Sequence, residues 1–292
     1  MQYPTQLAEA TRIIAIQGVQ GSFHEIAARK FFGDSIGFSM CDSFPDLFQS
    51  LRGGEAAFGV VAIENTVAGT LMPNYALLRE SSFQVIGEVY LRIEQHLMAL
   101  PGQQLADIRE VHSHPMALQQ CLKYLSGLQG VKLVESVDTA ASAAWIRAGG
   151  IRGMAAIGSE LAARTYGLEI LAPGIETNKR NFTRFLVIAS PEAAQAIPRE
   201  TTSKASLCFN LAHAVGSLAQ ILLILSAHGM NLTKIQSLPI VGREWEYFFH
   251  IDLEYDDYEQ YRRSLAAIRP QVQELRILGE YARGPKPQEE AA

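Results

Sequence analysis

Asn178-Lys179-Arg180-Asn181-Phe182-Thr183-Arg184-Phe185 runs straight into Leu186-Val187-Ile188-Ala189. The second half is an apolar run of strand length, which predicts a buried strand. The first half sets an amide, a hydroxyl, a guanidinium and two aromatic rings at the entry of that strand. A rigid strand entry is a good place to hold polar groups in a cleft. On their own, Thr183, Arg184 and Phe185 also fit a strand former, a solvated charge and a core ring.

Working outward, the chain alternates strand and helix signals. Arg12–Ile16 and Ala57–Ile63 read as short strands, as do Lys132–Glu135 and Ala155–Gly158. Helices follow from Phe44, Met116, Asp138 and Ser159. Ser113 and Pro115 fit the start of the Met116 helix. This pattern is that of an α/β domain with largely parallel sheets. Gln17-Gly18-Val19-Gln20-Gly21-Ser22 turns into a helix capped by Ser22. Its free N–H groups suit a carboxylate or phosphate, although the spacing is neither a dinucleotide fingerprint nor a P-loop, and a purely structural turn fits as well. Glu64 and Asn65 stand at the carboxyl end of a strand, where open α/β sheets bind ligands. Small hydroxyls at Ser22, Ser113, Thr139 and Ser159 stand at helix starts and, if they converge, form a receptor for a small organic anion.

After Ser190–Ser203, which reads as a linker, the pattern changes. Ala205, Leu207 and Phe209 alternate as in a strand. Leu218, Ile221, Leu222 and Leu225 have helical spacing. Two further strands, a helix and a last strand give a βαββαβ order, which is ferredoxin-like. It holds no nucleophile–base pair and is expected to regulate or assemble.

The chain has 292 residues, is 48% hydrophobic and carries a net charge of -5. That is ample for about two domains and offers no basic field for nucleic acid or anionic lipid. Cys41, Cys121 and Cys208 have neither metal nor redox spacing, so reduced thiols in a reducing compartment are expected. Met1–Thr11 has no apolar signal core, and no apolar run is long enough to span a bilayer. A soluble cytoplasmic protein is expected.

Together the motifs resemble prephenate dehydratase with a C-terminal ACT domain. The stretches that carry the resemblance are Gly18–Ala28, Val61–Gly69, Ser113–Leu118, Asp138–Ala140 and Asn181–Phe185. In the C-terminal part they are Gly216–Leu218 and His228–Ile235. The resemblance implies a bilobed catalytic domain like a type II periplasmic binding protein over 11–189. Lobe 1 covers about 11–88 and 173–189, and lobe 2 about 89–172. A linker at 190–203, an ACT domain at 204–282 and a disordered tail at 283–292 follow.

It also implies a hydro-lyase that converts prephenate to phenylpyruvate, water and carbon dioxide in phenylalanine synthesis, without metal or organic cofactor. Thr183, Arg184, Glu64 and Asn65 are the implied catalytic residues. Ser22, Phe23, Ser113, His114, Thr139, Asn181 and Phe185 would bind substrate. L-Phenylalanine would act as effector through Gly216, Ser217, Leu218, Asn231, Leu232 and Thr233 in a homodimer or homotetramer. Gln236-Ser237-Leu238-Pro239 departs from the family's Glu-Ser-Arg-Pro and loses two charges. A bilobed binding protein without catalysis, and an arogenate-preferring enzyme, are the alternative readings.

Overall fold

The computed structural model describes residues 12–240, 242–244 and 246–285. The N-terminal stretch read for a signal core and most of the tail lie outside them. In chain order the elements begin β1 (Arg12–Gln17), α1 (Phe23–Phe32), β2 (Ile36–Cys41) and α2 (Phe44–Arg52). There follow β3 (Phe58–Asn65), β4 (Gly69–Thr70), α3 (Met72–Glu80) and β5 (Gln84–Arg92). Next come β6 (His96–Ala99), β7 (Glu110–Ser113), α4 (Pro115–Gln120), α5 (Leu122–Leu125), β8 (Lys132–Glu135) and α6 (Thr139–Gly149). Then β9 (Met154–Gly158), α7 (Glu160–Tyr166), β10 (Glu169–Ala172) and β11 (Phe182–Ala189) complete this part. The C-terminal elements are α8 (Pro191–Gln195), β12 (Lys204–Asn210), α9 (Ser217–Ala227), β13 (Asn231–Pro239), β14 (Tyr247–Glu254), α10 (Tyr258–Ile268) and β15 (Gln273–Tyr281).

Three sheets result. The first runs β2-β1-β3-β11-β5, with β4 added to β3, and the second runs β10-β6-β9-β7-β8. In the first, β1 is parallel to β2 and β3. The second is mixed, because β6 lies antiparallel to β9 and β10 whereas β7 is parallel to β8 and β9. The apolar runs are continuous where sheets are covered on both faces. Along β6 and β9, for example, Leu97, Ala99 and Ile157 join Ala117 and Leu118 of α4, whereas Met98 and Ala156 join Ala140 and Ala163. The chain passes from the first sheet to the second and returns for β11, so the first two sheets form two lobes joined by two crossovers. Main-chain bonds link these crossovers: Ile93 N to Asn181 O (2.8 Å) and Ile175 N to Gln95 O (2.7 Å).

Local details differ from the sequence reading. The helix expected from Met116 to Leu125 breaks at Cys121 into α4 and α5. Its cap is His114, whose Nδ1 accepts from Met116 N at 3.2 Å, and not Ser113, whose hydroxyl donates to Ile157 O at 2.8 Å. The segment read as linker contains α8, capped by Ser190, and a 3-10 turn at Arg199–Thr201.

By internal contacts the chain falls into two compact units. One holds the residues up to Thr70 with Val89–Phe185, and the other holds Leu71–Glu88 with the residues from Leu186 on. The third sheet belongs to the second unit and has the antiparallel order β13-β14-β12-β15. This order and the βαββαβ succession are ferredoxin-like, as expected. Leu207, Phe209, Ile251 and Leu253 face a core completed by Ile221, Leu225, Tyr261 and Leu265 of α9 and α10. The alternate residues are also buried: Lys204, Ser206 and Asn210 on β12, and His250, Asp252 and Glu254 on β14. Segment 71–88 covers this polar face. Lys204 Nζ lies 3.0 Å from each oxygen of Glu88 and 3.6 Å from Glu254. Arg276 donates to the carbonyls of Arg79 and Ser81. The Tyr75 ring meets His250 edge-on at 4.9 Å.

Two tests follow from this face. Lys204→Met leaves Glu88 buried without its cation and is expected to cost about 3–5 kcal/mol in urea unfolding, with much of the loss recovered in Lys204→Met/Glu88→Leu. Burial, helped by Arg79, lowers the His250 imidazole to about 4, with Asp252 opposing. The folded state therefore binds fewer protons than the unfolded one. His250 contributes stability that is present above pH 6.5 and lost as pH falls towards 4, by roughly 3 kcal/mol. His250→Phe is expected to flatten that limb of the stability profile.

Candidate active site

The carboxyl end of β3 meets the start of β11. Thr66 N donates to Phe182 O, and Phe182 N donates to Thr66 Oγ1, both at 2.9 Å. This pairing brings Asn65 beside Asn181 and Thr183. Asn65 Nδ2 donates to Asn181 Oδ1 at 2.8 Å, to Thr183 Oγ1 at 2.9 Å and to Phe182 O at 3.2 Å. Its Oδ1 accepts from Val67 N and Ala68 N at 2.9 and 2.8 Å. Those two backbone donors fix which way the amide faces, so its N–H groups point at Thr183. The Thr183 oxygen thereby receives a hydrogen bond, and its own proton is free to be donated. Asn65, Asn181, Thr183 and Phe185 are all buried.

Gln120, at the end of α4 in the second lobe, accepts from Asn181 Nδ2 at 2.9 Å. The network thus runs Gln120–Asn181–Asn65–Thr183 and spans both lobes. The sequence reading did not single out Gln120. It stands in an ordinary helical stretch, and the break at Cys121 that ends the helix beside it has no local signal. A cavity of about 380 Å³ opens next to the network, lined by Val67, Gln120, Glu176, Thr177 and Asn181 among others.

Alternation along β11 sends Thr183 and Phe185 to one face and Arg184 to the other. Arg184 is 5% exposed. The expected pairing of Thr183 and Arg184 on one ligand therefore does not arise from adjacent strand positions. On the Thr183 face, Phe185 packs edge-on against His24 of α1 at 5.0 Å, and His24 meets Phe44 at 5.5 Å. Burial lowers His24 to about 4, so the imidazole is neutral near pH 7.

Ser22 caps α1, accepting from Glu25 N at 3.3 Å, and Phe23 is the first helical residue. In the second lobe, Ser113 ends β7, and Thr139 opens α6 behind its cap, Asp138. The Ser113 and His114 bonds described above stay within that lobe. Glu64 pairs with Thr70 of β4.

In the C-terminal sheet, Gly216 adopts a left-handed conformation at the start of α9. Ser217 and Leu218 line a small cavity with Leu211, His213, Tyr247 and Phe249. Asn231, Leu232 and Thr233 lie on β13, one of the two outer strands of that sheet. They do not line that cavity.

The two-lobed α/β fold and the buried amide–hydroxyl pair are the frame of a site for a small polar ligand. The family model described as prephenate dehydratase matches residues 14–193, and the chain belongs to that family. It is 34% identical over 275 residues to the bifunctional chorismate mutase/prephenate dehydratase of Aquifex aeolicus, covering 92% of this chain and 73% of that one. It is 35% identical over 291 residues to arogenate dehydratase 5 of Arabidopsis thaliana, covering 93% and 68%. Among solved structures, the prephenate dehydratase of Arthrobacter aurescens in complex with L-Phe aligns with a TM-score of 0.82 at 29% identity, covering 93% of this chain and 90% of that one. The structure of GqqA, described as a novel type of quorum quenching acylase, aligns with a TM-score of 0.85 at 31% identity, covering 94% and 99%.

The direction of the Asn65 amide is testable. Asn65→Asp keeps an acceptor for Val67 N and Ala68 N but draws the Thr183 proton onto the carboxylate. The variant is expected to fold and to lose about 10²–10³ in kcat, the usual effect of removing one oxyanion-type donor. Single-turnover and steady-state rates check it.

Proposed function

We infer that this chain catalyses the conversion of prephenate to phenylpyruvate, water and carbon dioxide. The observation that carries this reading is the Asn65–Thr183 bond, which leaves the Thr183 proton to be donated. Prephenate has a hydroxyl and a carboxylate on opposite ring carbons, and aromatisation drives the loss of both. Thr183 donates to the departing hydroxyl oxygen as charge builds there. A cation gripping the ring carboxylate would stabilise the ground state and work against its loss as a neutral gas. The neutral His24 and the Phe185 ring on the Thr183 face support a site without that grip. Arg184, on the opposite face, is read as a positioning residue for β11. The pyruvyl carboxylate falls to the Ser22–Phe23 helix start and to the Thr139 hydroxyl, with Asn181 and Glu64 completing the polar contacts, whereas the Ser113 proton is held by Ile157 O.

An acyl-transfer reading has less support. The hydroxyls of Ser113 and Ser159 donate to backbone carbonyls at 2.8 and 2.6 Å. Burial pushes the Cys121 and Cys208 thiols up to about 12 and 11, far from nucleophilic thiolates.

In this reading residues 11–189 form the dehydratase domain, and 204–282 form an ACT-type module that takes L-phenylalanine. The cavity at Ser217 and Leu218 supports an effector site, and the solved relative from Arthrobacter aurescens binds L-Phe. Asn231–Thr233 lie on an outer strand, so a second copy of the chain would bring them to that cavity, in a homodimer or homotetramer. No helix of the described residues is long and apolar enough to cross a membrane. Three free, buried cysteines support a reducing, cytoplasmic setting.

The deciding assay is phenylpyruvate formation from prephenate and from arogenate, with and without L-phenylalanine. Turnover of prephenate is expected, with inhibition by the amino acid. Thr183→Ala is expected to lower kcat about 10²–10³ with a smaller effect on KM. Near-normal turnover in that variant removes Thr183 from the mechanism.

A further inference from the structure

The Gly18–Ser22 turn uses three of its donors inside its own lobe. Gly18 N donates to Cys41 O at 2.8 Å, Ser22 N to Val19 O at 3.1 Å and Gly21 N to Glu25 Oε2 at 2.8 Å. Its carbonyls at Gln20 and Gly21 are taken by the other lobe. Ser159 Oγ donates to Gly21 O at 2.6 Å, and Tyr166 Oη donates to Gln20 O at 2.8 Å. Ser159 also accepts from Ala162 N at 3.0 Å as the cap of α7, so its single proton goes to Gly21 O.

Backbones meet closely along the same seam. A Cβ on Gly21 would stand 2.6 Å from Ala162 Cα, and one on Gly18 would stand 3.1 Å from Asp138 Oδ2. Both glycines also have positive φ, 84° and 99°. Burial raises the Tyr166 phenol, and Asp138 and Glu25 raise it further, so it keeps its proton and remains a donor.

The lobes are therefore joined along two seams. At the crossovers the joints are main-chain bonds on continuous chain. At the glycine turn no covalent link crosses, and two side-chain hydroxyls make the polar joint. That side can part to admit a ligand.

We propose that Ser159 and Tyr166 are positioning residues for the dehydratase site: from the second lobe they hold the glycine turn, and with it the first turn of α1, in its closed setting. The proposal rests on the dehydratase reading above. Weakening this joint lowers the closed fraction of the free enzyme and so the apparent affinity for substrate. Once substrate has closed the lobes, the reacting groups are unchanged.

Tyr166→Phe removes one oxygen and keeps the ring. The KM for prephenate is expected to rise about tenfold, with kcat within about twofold of the parent. Hydrogen exchange, followed by mass spectrometry on peptides spanning 18–22, is expected to quicken in the ligand-free variant and to return to the parent level with saturating prephenate. Ser159→Thr keeps the hydroxyl and is expected to behave like the parent. Gly21→Ala drives a methyl group into Ala162 and is expected to raise KM further. Unchanged KM and unchanged exchange in Tyr166→Phe would overturn the proposal, as would a fall in kcat at constant KM. Failure of the dehydratase reading has a different signature: the parent protein forms no phenylpyruvate, while the ligand-free exchange comparison remains readable.

Discussion

The site depends on the direction of one amide. Asn65 ends β3, and two backbone N–H groups of the following turn fix its oxygen. Its nitrogen must then face β11, where it binds the side chains of Asn181 and Thr183 and a main-chain carbonyl. Neither a carboxylate nor an aliphatic group of the same size can serve both sides, because one side requires an acceptor and the other a donor. Asn181 and Thr183 are buried, so leaving either of them unmatched carries a desolvation cost. Gln120 extends the constraint to the second lobe. Because Asn65 donates to the Thr183 oxygen, the hydroxyl proton is directed away from its support.

Much of this was legible in the sequence. The apolar runs gave the strands, because sheets covered on both faces need continuous hydrophobic stretches. The hydroxyl caps at Ser22 and Ser159 and the Asp138 cap marked helix starts that are present in the structure. What was hidden depends on tertiary partners. Nothing local tells that Gln120 reaches Asn181, or that Ser113 spends its hydroxyl on Ile157 while His114 takes over as cap. The alternation of β12 suggests one wet face. Its polar residues are buried because a segment some hundred positions away, carrying Glu88, covers them. Arg184 was grouped with Thr183 by the resemblance, and what a motif of neighbours does not tell is that alternate strand positions face opposite sides.

The buried Lys204–Glu88 pair bears on how far the C-terminal unit is separable. Glu88 belongs to a strand of the first sheet, yet its cation comes from the first strand of the third. A chain cut just before Lys204 would keep the carboxylate and lose its counter-charge. An isolated dehydratase fragment made that way would differ from the whole chain in more than its missing C-terminal sheet.

β11 is inserted between β3 and β5, although both precede it by far in the chain. Asn65 and Thr183 are 118 positions apart. During synthesis the Asn65 amide therefore waits for its partners while some 118 residues are added, roughly 6–24 s at 5–20 residues per second. For that interval the edge of β3, and once it is made that of β5, lacks the strand that separates them, and open strand edges recruit other chains. The last strand to arrive thus both closes the first sheet and delivers the threonine.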